Sequence, residues 1–290
     1  MYEVIFLIVL GLVWIAFASV QDLRTREVAN WLNFSLIIFA LGFRFFYSLF
    51  LGGNFDFFYQ GLIGLGIFFV LGNALYYGRM FAGGDAKLMI ALGAVLPFSE
   101  SFSFNVKIFS MFFFIFLIAG AIYGLVFSVG LGLKNFKSLK EEFSKTLKQK
   151  GKFVLPLAFF GVVFLLFGAF EKLFIYFGIL IFFLPFFYLY AKSVEEVCMV
   201  KKIKTENLTE GDWLYQDVKV GKKIIKVNWS GLSKGEISLI KKHHKEILIK
   251  QGIPFVPVFF ISFLVLIYFY FRGLGNSCWN FDVFFNFFRF

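Results

Sequence analysis

The sequence contains few charged residues and very few cysteines, and both shortages restrict the class of protein it can encode. Charged residues make up 16% of the 290 residues, whereas hydrophobic residues make up 60%. A soluble globular domain is roughly 45–50% apolar, so this composition excludes an ordinary soluble protein. The two cysteines, Cys198 and Cys278, lie far apart, which excludes a disulfide-rich scaffold and a zinc site of the CxxC type.

Long apolar runs dominate the remaining sequence. A helix needs about 20 apolar residues to cross roughly 30 Å of hydrocarbon. Eight stretches are candidates, at residues 3–20, 31–51, 58–77, 86–98, 107–133, 153–170, 173–191 and 254–271. The sequence therefore predicts an all-α polytopic membrane protein with about eight transmembrane helices. A small mixed α/β cytoplasmic domain is predicted before the last helix.

Acidic residues are fewer than basic ones, 18 against 29, and the basic residues are unevenly placed. Arg24 and Arg26 follow the first apolar stretch, seven lysines fall in 134–152 and thirteen lysines fall in 192–253. Connections rich in lysine and arginine usually stay in the cytoplasm. Strict alternation of the spans then predicts a multi-pass protein of the cell membrane with its N-terminus outside.

The polar breaks between the apolar stretches divide the chain into five segments. We expect a five-span membrane domain at 1–133, a basic amphipathic cytoplasmic segment at 134–152, a helical membrane hairpin at 153–191, a small cytoplasmic domain at 192–253, and the last span with an aromatic tail at 254–290. In 134–152, apolar residues recur at helical spacing among the lysines. This pattern favours a helix lying on anionic membrane lipids over a helix that docks a partner.

The predicted cytoplasmic domain carries signals for strands and for one helix. Ser233 and Glu236 have the spacing of a capping box, and the helix that they open is predicted to reach Leu248. Residues 213–220 and 224–227 are typical of two short strands joined by a turn. The domain is basic but has no nucleic-acid-binding motif, so we expect no nucleic-acid partner.

Two aspartates stand at the predicted cytoplasmic boundary of the membrane, where charged side chains are costly and therefore informative. Asp22 closes the first span, and Asp85 opens the fourth span directly after Gly83 and Gly84. If these spans pack together, the carboxylates can share one proton, so that one activates water while the other hydrogen-bonds a carbonyl. The alternative is that both are helix-end acids, with Asp22 paired to Arg26 and Asp85 favoured by the helix dipole.

Other charged residues receive simpler interpretations. We expect Lys87 to anchor at lipid headgroups rather than to act on Asp85, although it lies near the aspartates together with Arg24 and Arg26. Arg44 is predicted to extend along its helix to the outer interface. The histidines have no cysteine or acidic partner at a spacing suited to a metal, so neither a metal nor a cofactor is expected.

The segments around both aspartates resemble those of a known family. Asp22-Leu-Arg24-Thr-Arg26-Glu-Val28-Ala-Asn30 and Ala82-Gly83-Gly84-Asp85 are similar to motifs of the type IV prepilin peptidases, which are GxGD-type intramembrane aspartyl proteases. The residues from Leu208 to Pro257 resemble the C-terminal domain of the archaeal branch, the preflagellin (archaellin) peptidases. One departure stands out, because Ala82 takes the place of the first glycine of the signature.

The resemblance implies an aspartic-type endopeptidase with Asp22 and Asp85 as its catalytic residues. It also implies that Gly83, Gly84, Lys87, Arg24 and Arg26 support the site or the approach of substrate. The implied substrates are preproteins with a short basic leader and a hydrophobic helix, such as archaellins and pilins, cut at the cytoplasmic face. Two alternatives stay open: a proton- or cation-coupled transporter, and an inactive scaffold derived from the protease.

Overall fold

The computed structural model describes residues 2–221 and 223–275. The described residues form two compact units, one built from residues 2–123 with 254–275 and the other from the described residues of 124–253. The aromatic tail predicted after the last span lies outside the described residues, which end at residue 275.

Nine α-helices occur in the described part of the chain. They are α1 (Tyr2–Thr25), α2 (Asn30–Tyr47), α3 (Asp56–Tyr77), α4 (Gly83–Val95), α5 (Phe102–Lys134), α6 (Phe136–Phe167), α7 (Lys172–Val194), α8 (Lys234–His243) and α9 (Val256–Gly275). Each of the eight predicted apolar stretches falls on one of these helices. Six helices are long and apolar enough to cross a membrane, and α4 and α9 are the shorter apolar helices. The predicted fold class, a polytopic helical membrane protein with a small sheet-containing domain, is confirmed.

The first unit packs α1 to α4, most of α5 and α9 around one hydrophobic core. Glycines allow its helices to approach closely, as is common where membrane helices pack. A Cβ atom on Gly64 of α3 would collide with the carbonyl oxygen of Gly93 in α4, and a Cβ atom on Gly93 would lie 2.5 Å from the carbonyl oxygen of Gly64. The α3–α4 contact therefore depends on the absence of side chains at both positions.

The helix α4 has 13 residues, or about 20 Å of helix, which is too short to cross the membrane by itself. Its chain continues as buried, non-helical backbone through Leu96, Pro97 and Phe98. The guanidinium of Arg44 in α2 donates hydrogen bonds to the carbonyl oxygens of Ala94 (2.9 Å), Val95 (3.2 Å), Pro97 and Phe57 (2.9 Å). Irregular backbone at membrane depth requires such internal partners, because lipid offers none.

The prediction that Arg44 reaches the outer interface is therefore wrong. Its side chain is 0% exposed, and its donors close the carbonyl end of α4, where a helix has no partners of its own. Asn105 of α5 completes the same turn of chain, because its amide oxygen accepts from the N–H groups of Phe98 (3.0 Å) and Ser99 (3.1 Å). Its amide nitrogen donates to the side chain of Gln60 at 3.0 Å.

In the second unit, α6 and α7 pack as an antiparallel hairpin, with Gly161 against Phe182 and Gly178 against Leu165. The structure differs from the expectation for residues 134–152. Most of this basic segment forms the first half of α6 and continues through Pro156 into the apolar half as one helix. The amphipathic segment is thus not a separate helix, because nothing in its sequence stops helical hydrogen bonding before the span begins.

The small domain contains five strands, β1 (Val200–Lys204), β2 (Trp213–Leu214), β3 (Val218–Val220), β4 (Lys223–Ile225) and β5 (Glu246–Lys250). Antiparallel pairing gives one sheet in the order β1-β5-β2, and β3 and β4 form a hairpin. The single strand predicted over 213–220 is wrong, because its first part, β2, pairs with β5 and only its last part, β3, pairs with β4. Gly221 makes the hairpin turn with φ +59°, which glycine adopts without strain.

The predicted capping box at the start of α8 is confirmed. The backbone N–H and the hydroxyl of Ser233 donate to the Glu236 carboxylate at 2.9 Å and 2.7 Å, and these bonds hold the pKa of Glu236 below its usual value. The predicted extension of this helix to Leu248 is wrong, because α8 ends at His243. The following chain is extended, and Ile247 and Ile249 alternate into the core as β5.

Replacing Gly64 with alanine should lower the free energy of unfolding by about 1–3 kcal/mol, because the new methyl group must push α3 away from α4. Gly93→Ala should have the same effect for the reciprocal reason. The measurement is thermal unfolding of the purified protein in detergent. Gly42→Ala in α2 is the matched control, since a Cβ atom there would meet nothing within 4 Å. Equal unfolding temperatures for Gly64→Ala and Gly42→Ala would contradict the close α3–α4 contact.

Replacing Arg44 with methionine should cost roughly 3 kcal/mol or more, because buried carbonyl groups lose their donors. Arg44→Lys should recover only part of this loss, since one ammonium group cannot reach all four carbonyl oxygens. Unfolding in detergent measures both variants. A methionine variant as stable as the wild type would show that the carbonyl end of α4 does not need Arg44.

Candidate active site

Asp22 lies in the last turn of α1, where the helix ends in a tight turn. The backbone N–H of Arg26 donates to the carbonyl oxygen of Asp22 at 2.8 Å, and Arg26 itself has φ +59°, the left-handed conformation that commonly closes a helix. The Asp22 side chain is 6% exposed. Its carboxylate accepts a hydrogen bond from the backbone N–H of Val256 at 2.9 Å, and the N–H of Phe255 also donates to it. Asp22 is thus bound to the start of α9.

Asp85 lies in the first turn of α4 and is half-buried. The backbone N–H of Ala82 donates to its carboxylate, which helps to satisfy the free donors at the start of the helix. The carboxylates of Asp85 and Asp22 lie within electrostatic range of each other. The structure therefore brings together the two aspartates that the sequence places 63 positions apart, and both retain features of helix-end acids.

The backbone before Asp85 explains how alanine fits in the signature. Ala82 has φ −70° and ψ 160°, an extended conformation open to any residue, so this position does not need glycine. A Cβ atom on Gly83 would lie 3.7 Å from the ring of Tyr76, and one on Gly84 would lie 3.7 Å from Val28. Both are ordinary van der Waals distances. The fold would accept alanine at both glycines, so the space beside them is not consumed by packing.

The predicted basic residues differ in how closely they join the aspartates. Arg26 is half-buried and interacts electrostatically with Asp22. Arg24 is exposed. Lys87 is exposed as well, and its amine donates to the side-chain oxygen of Asn30 at 2.7 Å. Lys87 therefore links the start of α4 to the start of α2.

Sequence reasoning missed the groups that α5 and α9 contribute. Tyr123 of α5 interacts electrostatically with both Asp22 and Arg26. Phe255 packs its ring near those of Phe81 (6.1 Å between centroids) and Phe116 (5.7 Å). The start of α9 is thereby fixed beside the loop that leads to Asp85. The prolines near residue 255 indicate a helix start, but nothing local in the sequence indicates which side chain caps it.

Metal ligands do not cluster in the part of the chain that the structure describes. No group of three or more histidine, cysteine, aspartate or glutamate side chains there could hold an ion. The arrangement at the two aspartates is instead a buried carboxylate with backbone donors, a second carboxylate within electrostatic range and a nearby arginine. Such a pair can exchange protons with a bound water and a carbonyl group.

Comparison with known proteins gives matches over part of the chain. Residues 9–128 match the type IV leader peptidase family. The preflagellin peptidase of Methanococcus maripaludis is 32% identical over 89 residues, which cover 31% of this chain and 38% of that protein. The preflagellin peptidase of Methanocaldococcus jannaschii is 30% identical over 89 residues, which cover 31% of this chain and 37% of that protein. No solved structure matches.

The matches are partial, because the chain spans little more than a third of the length of the curated relatives that it matches. The match to the family ends at residue 128 and therefore leaves out α9, although the backbone of α9 binds Asp22. Within that segment lie both aspartates, both glycines and the basic residues predicted to support them. The chain is therefore similar to the type IV leader peptidase family over residues 9–128.

Proposed function

We propose that the chain is a membrane aspartyl endopeptidase that removes the positively charged leader from preproteins of the prepilin and preflagellin type. The observation that supports this proposal is that Asp22 and Asp85 lie within electrostatic range of each other, inside the segment that matches the leader peptidase family. Two carboxylates in electrostatic contact tend to share one proton, which supplies a base and an acid at once.

The proposed reaction uses both carboxyl groups in each step. Oxygen of the bound water forms a bond to the carbon of the scissile carbonyl, while its proton passes to the ionised carboxylate. The protonated carboxyl gives its proton to the carbonyl oxygen, so a tetrahedral diol forms. When the C–N bond breaks, the leaving nitrogen takes a proton from the first carboxyl, and the diol returns one to the second.

Gly83 and Gly84 support the approach of substrate in this proposal. Because alanine would fit at both positions, glycine there is not explained by packing within the chain. Without Cβ atoms, this stretch leaves room for an extended peptide backbone beside Asp85. Tyr76 and Val28, the nearest side chains to these glycines, would border such a backbone.

The distribution of charge supports the proposed orientation and partners. Residues 124–253 contain 21 lysines and 11 acidic residues, so they carry nearly all of the net charge of +11. Segments this basic stay in the cytoplasm, where they also bind anionic lipids. The N-terminus is then outside the cell, and the aspartates lie at the cytoplasmic face, where a basic leader meets the hydrophobic helix of its preprotein.

Replacing either aspartate with asparagine should reduce cleavage by roughly a hundredfold or more, because each variant loses one of the two proton-transfer groups. The test is co-expression with a tagged preprotein that has a lysine-rich leader, read as a size shift on a gel. Asp56→Asn is the matched control, since Asp56 is an exposed acid in the first turn of α3. Cleavage at the wild-type rate by Asp22→Asn or Asp85→Asn would refute the dyad. Cation uptake by proteoliposomes without any cleavage would favour the transporter.

Replacing Ala82 with glycine should change cleavage by about twofold or less, because Ala82 already has the extended conformation that the loop needs. The same co-expression assay measures this variant beside the wild type. An inactive wild type that gains cleavage through Ala82→Gly would instead support the inactive-scaffold alternative.

A further inference from the structure

We infer that the start of α9 assigns the roles within the aspartate pair: Asp22 is the ionised member that takes the proton from water, and Asp85 is the protonated member. This inference rests on the proposed function and deepens it. It comes from a contact outside the segment that matches the leader peptidase family, because Val256 lies far beyond residue 128.

The two carboxylates have different hydrogen-bond donors. Asp22 receives the N–H of Val256 at 2.9 Å and the N–H of Phe255, both at the positive end of the α9 dipole. Asp85 receives the N–H of Ala82, at the start of its own helix. Hydrogen bonds from backbone N–H groups favour the charged form of a carboxylate, and two such bonds favour it more than one.

The charged and titratable side chains around Asp22 also favour its ionised form. Arg26, which follows α1, interacts favourably with a negative Asp22. Tyr123 of α5 also interacts with Asp22, and a neutral phenol does not oppose its charge. The negative charge of an ionised Asp22 disfavours a second negative charge on Asp85 of α4. Asp85 therefore keeps its proton.

The burial of Asp22 acts against this assignment. Asp22 is 6% exposed, and a buried carboxylate without partners would favour the neutral form. Its backbone donors and the nearby arginine offset part of this cost, and the assignment rests on the difference between the two carboxyl groups. At Asp85, burial and the charge on Asp22 both favour the neutral form, so the proton is retained there.

The packing at the start of α9 makes the donors a fixed part of the site. Val256 is 0% exposed, and Phe255 packs against Phe81 and Phe116. Phe81 lies four residues before Asp85, so one aromatic cluster joins the backbone that binds Asp22 to the loop that presents Asp85. The N–H groups can therefore orient Asp22 without a rearrangement of α9.

Replacing Val256 with proline removes one donor at the first residue of α9, where proline is best tolerated in a helix. The full-length protein is assayed with the same lysine-rich preprotein over a range of pH. Because Asp22 is then protonated more readily, the acid limb of the pH–rate profile should move up by about one pH unit. Val256→Ala keeps the N–H, so its acid limb should stay at the wild-type position.

The two possible role assignments predict that Val256→Pro moves different limbs of the pH–rate profile. If Asp22 were the protonated member, Val256→Pro would leave the acid limb in place and move the basic limb, and this result would overturn the inference. A loss of cleavage in Asp22→Asn and Asp85→Asn would still support the protease. Cleavage by those asparagine variants would refute the proposed function itself, so the two failures can be distinguished.

A second pair of variants covers the case in which Val256→Pro does not fold. Phe255→Pro removes the other N–H donor to Asp22, and Phe255→Ala loses the same ring but keeps the N–H. An acid limb that lies higher in Phe255→Pro than in Phe255→Ala supports the inference. Identical acid limbs in these two variants would contradict it.

Discussion

The short helix α4 is the constraint on which the first unit depends. With 13 residues it is too short to cross the membrane by itself, so its last carbonyl groups and the chain after them must find donors inside the protein. Arg44 supplies those donors from α2, and Asn105 supplies partners for the next residues. A charge that would be costly in lipid is thereby used to close a helix whose negative end it also complements.

Fixing the carbonyl end of α4 also fixes its first turn, which carries Asp85, one of the two proposed catalytic residues. Helices are stiff over this length, and the close contact of Gly64 with Gly93 limits sliding of α4 along α3. Lys87 adds a bond to Asn30 near the opposite end. The position of Asp85 along the axis of α4, and the direction in which it faces, thus follow from polar and steric contacts along the whole helix.

The helices could be predicted from the sequence because their signals are local, whereas the aspartate pair, 63 positions apart, depended on a resemblance to a known family. Apolar runs mark the helices, and the Ser233 capping box marks the start of α8. The bonds of Arg44 join residues about fifty positions apart, and β1 pairs with β5 across a similar distance. Such partners depend on how helices and strands assemble, so the sequence predicted an exposed Arg44 and a helix through Leu248 instead.

The bond between Asp22 and Val256 has a consequence for how the site forms. The two residues are 234 positions apart, and all of the second unit lies between them in the chain. Until α9 packs against α1, the Asp22 carboxylate lacks its two backbone donors, and a buried charge without partners is unfavourable. The protonation state that we assign to the pair therefore requires α9 to be packed against α1. In the site that we propose, α9 completes the surroundings of Asp22, although both acids belong to the first hundred residues of the chain.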